Sequence, residues 1–277
     1  MTTKTRTSML RSLLVLGLSL YAVIALLPFL WMVSSSLKDI TEVLTYPPTL
    51  LPKQASFDNY VKAWTLIPYS RYMINSFIIA SVGTLSVIVV SAMAAYSLTV
   101  LQVPGRGVIL SVILFGLIIP AQTGFIPVFM MVRNLGLVDT YMGVMLPYLS
   151  SAFGAFMLAQ FFKVIPFDLV AAARIDGLRE FGIMMNVVLP LGKPGIITLI
   201  IFNFMNIWRD FFWPFLLINR KQLRTVPLGV VTFWQSESQH WGQILAATTI
   251  ATIPLIVVFV IFQKQFVRGI SWSGMKV

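Results

Sequence analysis

Six stretches of this chain run almost without charge for longer than the about 20 residues an α-helix needs to cross a bilayer, and that pattern leaves few folds open. They are Ser12 to Leu37, Tyr72 to Leu101, Val108 to Val132, Thr140 to Phe162, Pro194 to Asn219 and Trp241 to Gln263. Each is continuously apolar and does not alternate residue by residue, which excludes a transmembrane β-barrel. A soluble fold is excluded too: 58% of the residues are hydrophobic, 10% are charged and the mean hydropathy is +0.88. The expected fold is therefore all-α and polytopic, six transmembrane helices bundled into a single domain over residues 1–277. The first stretch follows Lys4, Arg6 and Arg11 as a signal peptide would. It is too long for a signal core, and no small-residue cleavage site follows Ser34-Ser35-Ser36, so it reads as a retained first span.

Charge sets the orientation. Lys and Arg gather on the cytoplasmic side of membrane proteins. Six spans put both termini on one side. With the termini inside, the cytoplasmic segments hold eleven basic residues and the outer segments eight, while three acids fall inside and five outside. Both termini are expected to be cytoplasmic. A net charge of +11 on a soluble protein would suggest nucleic acid, but here the basic residues lie between apolar runs and form no patch. The chain has no cysteine and one histidine, His240, so it offers no disulfide, thiolate nucleophile or multi-histidine metal site. It has no serine, histidine and acid triad and no phosphate-binding Gly-x-x-x-x-Gly-Lys-Ser/Thr loop. An enzyme is not expected, nor any cofactor held by this chain.

Three connections are long enough to need a task. Residues 38–71, on the outside, carry Tyr46-Pro47-Pro48 and Leu51-Pro52, which stiffen the loop, with Phe57, Tyr60 and Trp64 able to pack on the bundle or lie at the interface. Residues 220–240, also outside, bring Phe233 and Trp234 to a polar loop, as a protein partner or an interfacial aromatic belt would require. The inner loop, 163–193, is the most informative. Pro166 suits the first position of a helix and Asp168 falls in its first turn, where a carboxylate complements the helix dipole. Ala171, Ala172 and Ala173 favour helix with almost no side chain, and Gly177 is a plausible stop. A second helix from Leu178 is expected to end before Pro190. The product is a short, small-sided helix able to enter a cleft on another protein, with Asp168, Arg174 and Asp176 as charged contacts at the rim.

These residues resemble the cytoplasmic signature of the membrane subunits of binding-protein-dependent ABC importers. The family pattern is Glu-Ala-Ala, three residues, Gly, nine residues, Ile, one residue, Leu-Pro. Its positions here are Ala171-Ala172-Ala173, Gly177, Val187 and Leu189-Pro190. The family glutamate is Ala171 and the isoleucine is Val187. Other stretches, Ser36-Leu37-Lys38, Asn75-Ser76-Phe77, Ala94-Ala95-Tyr96, Leu146-Pro147-Tyr148 and Trp208-Arg209-Asp210, resemble the carbohydrate branch, specifically the smaller subunit of the maltose and glycerol-phosphate type. The resemblance implies an importer permease fold with a cytoplasmic coupling helix between the fourth and fifth spans. Its implied partners are a second, larger permease subunit, two ATP-binding cassette subunits that carry ATP and Mg, and an extracytoplasmic solute-binding protein. That binding protein would meet the loop at Phe233, Trp234 and Gln235. The cargo would be a sugar, oligosaccharide, polyol or glycerol phosphate.

Inside the membrane the unusual feature is Arg209-Asp210 in the fifth span. Ionisable residues at that depth usually face water or a partner; a long arginine can also snorkel to the headgroups. Asn203, Asn206 and Trp213 lie within a few turns and complete either a polar, aromatic pathway surface that suits sugars or a set of amides that pack helices. The competing reading, a self-sufficient secondary transporter or channel, predicts paired carboxylates at mid-membrane and an internal repeat. Asp210 is the sole acid within a span, and no repeat is evident.

Overall fold

A computed structural model describes residues 3–233 and 240–273, with side chains for residues 11–233 and 240–264. The described residues form helices and turns with no strand. Three helices are long and apolar enough to cross a membrane unbroken: α1 (Thr3–Ser36), α2 (Tyr69–Thr99) and α11 (Trp241–Ser273). Between α2 and α11 come α3 (Arg106–Ile118), α4 (Phe125–Asn134), α5 (Tyr141–Met145), α6 (Ala152–Lys163) and α7 (Phe167–Ile175). They are followed by α8 (Glu180–Leu191), α9 (Lys193–Trp208) and α10 (Phe212–Leu217).

Against the expected six transmembrane helices, three are unbroken, and the number reaches six where each bent pair is one span. Two of the apolar stretches are bent helix pairs, by 94° between α3 and the segment Ala121–Asn134 and by 47° between Tyr141–Tyr148 and α6, and a third bend of 77° falls between α8 and α9, just before the stretch that starts at Pro194. Each break has a local cause. Pro120 holds Ile119 in an extended conformation, with ψ of 123°, so α3 stops there. Ser151 restarts the helix at α6 by accepting the Gly154 N–H at 3.1 Å, an N-cap bond. Gly192 separates α8 from α9, where a Cβ would run into the Phe162 ring. The proposed fifth span from Pro194 to Asn219 is likewise not one helix, because α9 ends at Trp208 and α10 starts at Phe212.

Pro190 also behaves differently from expectation. The helix that begins at Glu180 does not end before it but runs on to Leu191 through a π-helical stretch, Met184–Val188. A proline lacks the N–H and crowds the carbonyl four residues back, and the wider turn relieves both.

Contacts divide the chain into two compact units, residues 1–67 with 230–252 and residues 68–229 with 253–277. In the first, the end of α1 is fastened to the loop that follows. Asn59 Nδ2 donates to the carbonyls of Ser36 (2.9 Å) and Lys38 (2.7 Å), and the Ser36 and Tyr60 hydroxyls share a hydrogen bond of 2.7 Å. Lys38 is buried, its ammonium donating to the Thr49 carbonyl and lying 4.7 Å from the Trp31 ring centroid. Of Phe57, Tyr60 and Trp64, Tyr60 packs down, whereas Phe57 and Trp64 stay exposed. Among the described residues, none in the apolar window of α1 is buried.

The second unit is organised by α2, which packs along α6 and α9. Among its buried residues Ala80, Gly83, Thr84, Ser91, Ala92 and Ala95 are small, and there the neighbouring backbones come close. A Cβ on Gly83 would strike Ile207, and one on Gly154 would strike Ser91. One apolar cluster joins Ala95, Leu158, Phe162, Val170, Ala173, Ile183 and Val188, toward the end of α2 that carries Tyr96. A second joins Ile79, Val144, Tyr148, Trp208, Leu217 and Leu228, toward the other end.

Candidate functional site

The short helix α7 forms for the reasons its residues suggest. Pro166 precedes it, Asp168 lies in its first turn and Arg174 in its last. Its end is a Schellman motif: the Leu178 N–H donates to the Ala173 carbonyl (3.0 Å) and the Gly177 N–H to that of Arg174 (3.1 Å). Gly177 sits at φ +86°, the left-handed region where a Cβ is strained.

The alanine run divides by face. Val170 and Ala173 are buried against the second unit's core, Ala171 is half-buried and Ala172 is exposed. Asp168, Asp176 and Gly177 are exposed as well, and Ile175 is 86% exposed, so α7 presents its far side and its tip outward. Val187 and Leu189 pack against the core from α8, and Pro190 is exposed.

Arg174, expected as a charged contact at the rim, pairs within the chain. Its guanidinium meets Glu180 with two parallel bonds, Nε to Oε1 at 2.8 Å and Nη2 to Oε2 at 3.1 Å. The carboxylate beside it holds the guanidinium above its ordinary pKa. Glu180 Oε2 also accepts from the Tyr96 hydroxyl at 2.6 Å, so one carboxylate ties α7 to the end of α2. Sequence reasoning missed Glu180 in this role. The available signal was a lone acid six residues after a basic one, across a glycine stop.

At the other end of the second unit, α9 rises 16 residues, roughly 24 Å, before it breaks. Asp210 makes the break: its Oδ1 accepts the Phe212 N–H at 2.8 Å and starts α10, and its Oδ2 accepts from the Tyr148 hydroxyl at 2.9 Å. Arg209 does not pair with it. That side chain is exposed, donating from Nη2 to Asn206 Oδ1 at 3.0 Å, and Asn206 is exposed too. Asn203 Nδ2 is buried with no partner among the described residues. Trp213 is half-buried, edge-on to Phe125 at 5.0 Å and 76°, which places it in an aromatic cluster with Phe212. The structure thus brings Asn206 and Arg209 together, and Asp210 with Tyr148, while Trp213 goes elsewhere.

The chain beyond α10 is pinned by polar side chains. Asp139 Oδ1 accepts the N–H groups of Asn219 (2.6 Å) and Arg220 (2.8 Å). Burial works to raise this carboxyl's pKa, but those backbone donors outweigh it and the net shift is downward. Asn75 donates to the Gln222 and Arg224 carbonyls, both at 2.9 Å, and Ser76 Oγ accepts the Val226 N–H at 2.8 Å. Phe233, expected at the tip of a partner-facing loop, is buried, 4% exposed. Trp234 and Gln235 lie outside the described residues. Among the described residues no group of three or more His, Asp or Glu could hold a metal.

Residues 87–272 match the model of the family described as binding-protein-dependent transport system inner membrane component. The diacetylchitobiose uptake system permease protein of Streptomyces coelicolor is 33% identical over 258 residues, 92% of this chain and 85% of that protein. The arabinooligosaccharides transport system permease protein of Bacillus subtilis is 30% identical over 97% of both chains. Among solved structures, a chain of a bacterial ABC transporter involved in the import of the acidic polysaccharide alginate superposes with a TM-score of 0.80 at 23% identity, covering 96% of this chain and 99% of that one.

Proposed function

The chain belongs to the family of binding-protein-dependent transport system inner membrane components, and on that premise we propose how it works as the permease subunit of an ATP-driven carbohydrate importer. Each bent pair counts as one span, giving six crossings with both termini in the cytoplasm. It works beside a second, larger permease subunit, two ATP-hydrolysing subunits and an extracytoplasmic solute-binding protein; hydrolysis belongs to those partners. The cargo is a sugar, an oligosaccharide or a related polyol or glycerol phosphate, and the relatives' uptake of diacetylchitobiose and arabinooligosaccharides supports the carbohydrate class.

One observation carries the mechanism: an exposed short helix is tied through a single carboxylate to a membrane-crossing helix. We assign α7 as the coupling helix. Its face at Ala172 and its tip at Asp176 and Gly177 enter a cleft on an ATPase, with Asp168 at the rim. Arg174, Glu180 and Tyr96 then pass the displacement of α7 to α2. At the opposite end, non-helical backbone at membrane depth is tolerated only where protein buries it or water lines it. The break at Arg209 to Phe211 supports a place for Asn203, Asn206, Arg209 and Asp210 on the translocation pathway or against the larger subunit.

Two experiments test this. The chain has no cysteine, so single replacements report sidedness cleanly. Tyr46→Cys, at a 94% exposed site, should react with an impermeant thiol reagent on intact cells, and Ile175→Cys only after permeabilisation. The reverse pattern would invert the orientation. In the assembled complex, Asp210→Ala removes both the Phe212 cap and the Tyr148 acceptor, and uptake should fall about tenfold, equivalent to about 1.4 kcal/mol. Arg209→Lys keeps a single donor to Asn206 and should lose less. Full uptake by Asp210→Ala at normal abundance would remove the pair from the pathway.

A further inference from the structure

A cavity of about 430 Å3 opens where α2 ends, α3 begins, α6 ends and α7 begins, a place given no task by the transport cycle above. Its polar lining is contributed by Thr99 and the exposed Gln102, Arg106, Gln160 and Lys163, and its apolar lining includes Phe162, Ile165 and Phe167. The wall therefore has two chemistries, cationic side chains and aromatic rings. No acidic residue lines it.

The position follows from the chain's route through the bilayer. α2 crosses from Tyr69 to Thr99, and Thr99 lines the cavity. Helix ends at this depth meet the headgroups, where anionic lipids attract Lys and Arg and where long basic side chains reach outward from apolar stems. The first turn of α3, with Arg106 and Gly107 in the lining, adds the positive end of a 13-residue helix to the two side-chain charges. A soluble anion would use the cations but leave the rings idle. A phospholipid uses both, with its phosphate on Arg106 and Lys163 and the upper part of an acyl chain along Phe162 and Phe167.

We propose that this cavity is a binding site for the phosphate headgroup of an anionic membrane phospholipid, set against the first turn of α7. The inference rests on the reading of the chain as membrane-spanning, and its consequence is that leaflet composition bears directly on the seat of α7, since Phe167 and Val170 belong to both cavity and helix.

The test uses the full complex, extracted in neutral detergent from membranes containing phosphatidylglycerol, and reads bound lipid by native mass spectrometry. The wild type should retain phosphatidylglycerol. Arg106→Gln with Lys163→Gln should weaken retention by roughly 30-fold, about fivefold for each charge removed. Gly107→Phe keeps both cations but fills the space, since a Cβ there meets nothing within 4 Å, and it should lose the lipid as well. Arg11→Gln removes one charge outside the cavity and should retain it. Undiminished phosphatidylglycerol on the Arg106→Gln, Lys163→Gln complex would overturn the proposal. So would displacement of the lipid by inorganic phosphate or free glycerol phosphate, which would give the site to a soluble anion. Bound mass is read independently of uptake: a complex that keeps the lipid yet carries no sugar would count against the transport reading alone.

Discussion

ATP hydrolysis stimulated by the solute-binding protein should fall by more than about tenfold when Ala172 is replaced by Trp, with the subunit still inserted at normal abundance. The expectation comes from the split faces of α7. Ala172 is exposed, so an indole there adds bulk to the outward surface without touching the core. A close-packed interface built on alanine has no room for it, and a loss of about 1.4 kcal/mol in docking already gives a tenfold change. Ala173→Trp is the contrasting variant. Ala173 is buried among Val170, Ile183 and Val188, so the same ring should lower abundance instead of uncoupling a well-folded subunit. Wild-type stimulation in the Ala172→Trp complex would refute the docking assignment of α7.

The second large effect concerns folding. Gly143→Ala should reduce the folded subunit in the membrane severely, by about 3 kcal/mol of overpacking. A Cβ at Gly143 would lie inside the contact distance of the Leu137 carbonyl oxygen and against Val132. A carbonyl fixed in the backbone cannot swing aside as a side-chain end can. The adjacent Asp139, at φ +62°, is held by its own bonds to Asn219 and Arg220, which leaves the loop little freedom to give way. Thermal unfolding in detergent, followed by size-exclusion fluorescence, measures the loss. An unchanged midpoint would show that the loop relaxes at no cost.

Much of this was readable from residue order alone. Apolar length identified membrane-crossing segments because the bilayer thickness sets a single length scale, and the start and stop of α7 followed from Pro166 and Gly177 because capping is local. The bends escaped because hydropathy is blind to direction: Val108 to Val132 is uniformly apolar yet turns by 94° near Pro120. A proline inside an apolar run can kink, stop or, as at Pro190, simply widen a helix, and the packing around it decides among these. The partner of Arg174 escaped for a related reason. Asp168, Asp176 and Glu180 were all within reach along the chain, and only the turn at Gly177 aims Glu180 at both Arg174 and Tyr96. The burial of Phe233 was not legible, because an aromatic in a polar stretch looks the same whether it faces outward or inward.

The bare flank of α1 has an evolutionary corollary. A residue whose neighbours within its own chain are absent is selected for oiliness and length but scarcely for shape, so Leu14, Leu18 and Ile24 can exchange among Leu, Ile, Val and Phe with little penalty from this subunit. Along α2 the opposite holds, since Gly83 and Ala95 admit almost no substitute. Sequence drift within one polypeptide should therefore run at two speeds, fast along α1 and slow along α2, and a library of α1 segments scrambled in order but matched in hydropathy should yield mostly functional transporters.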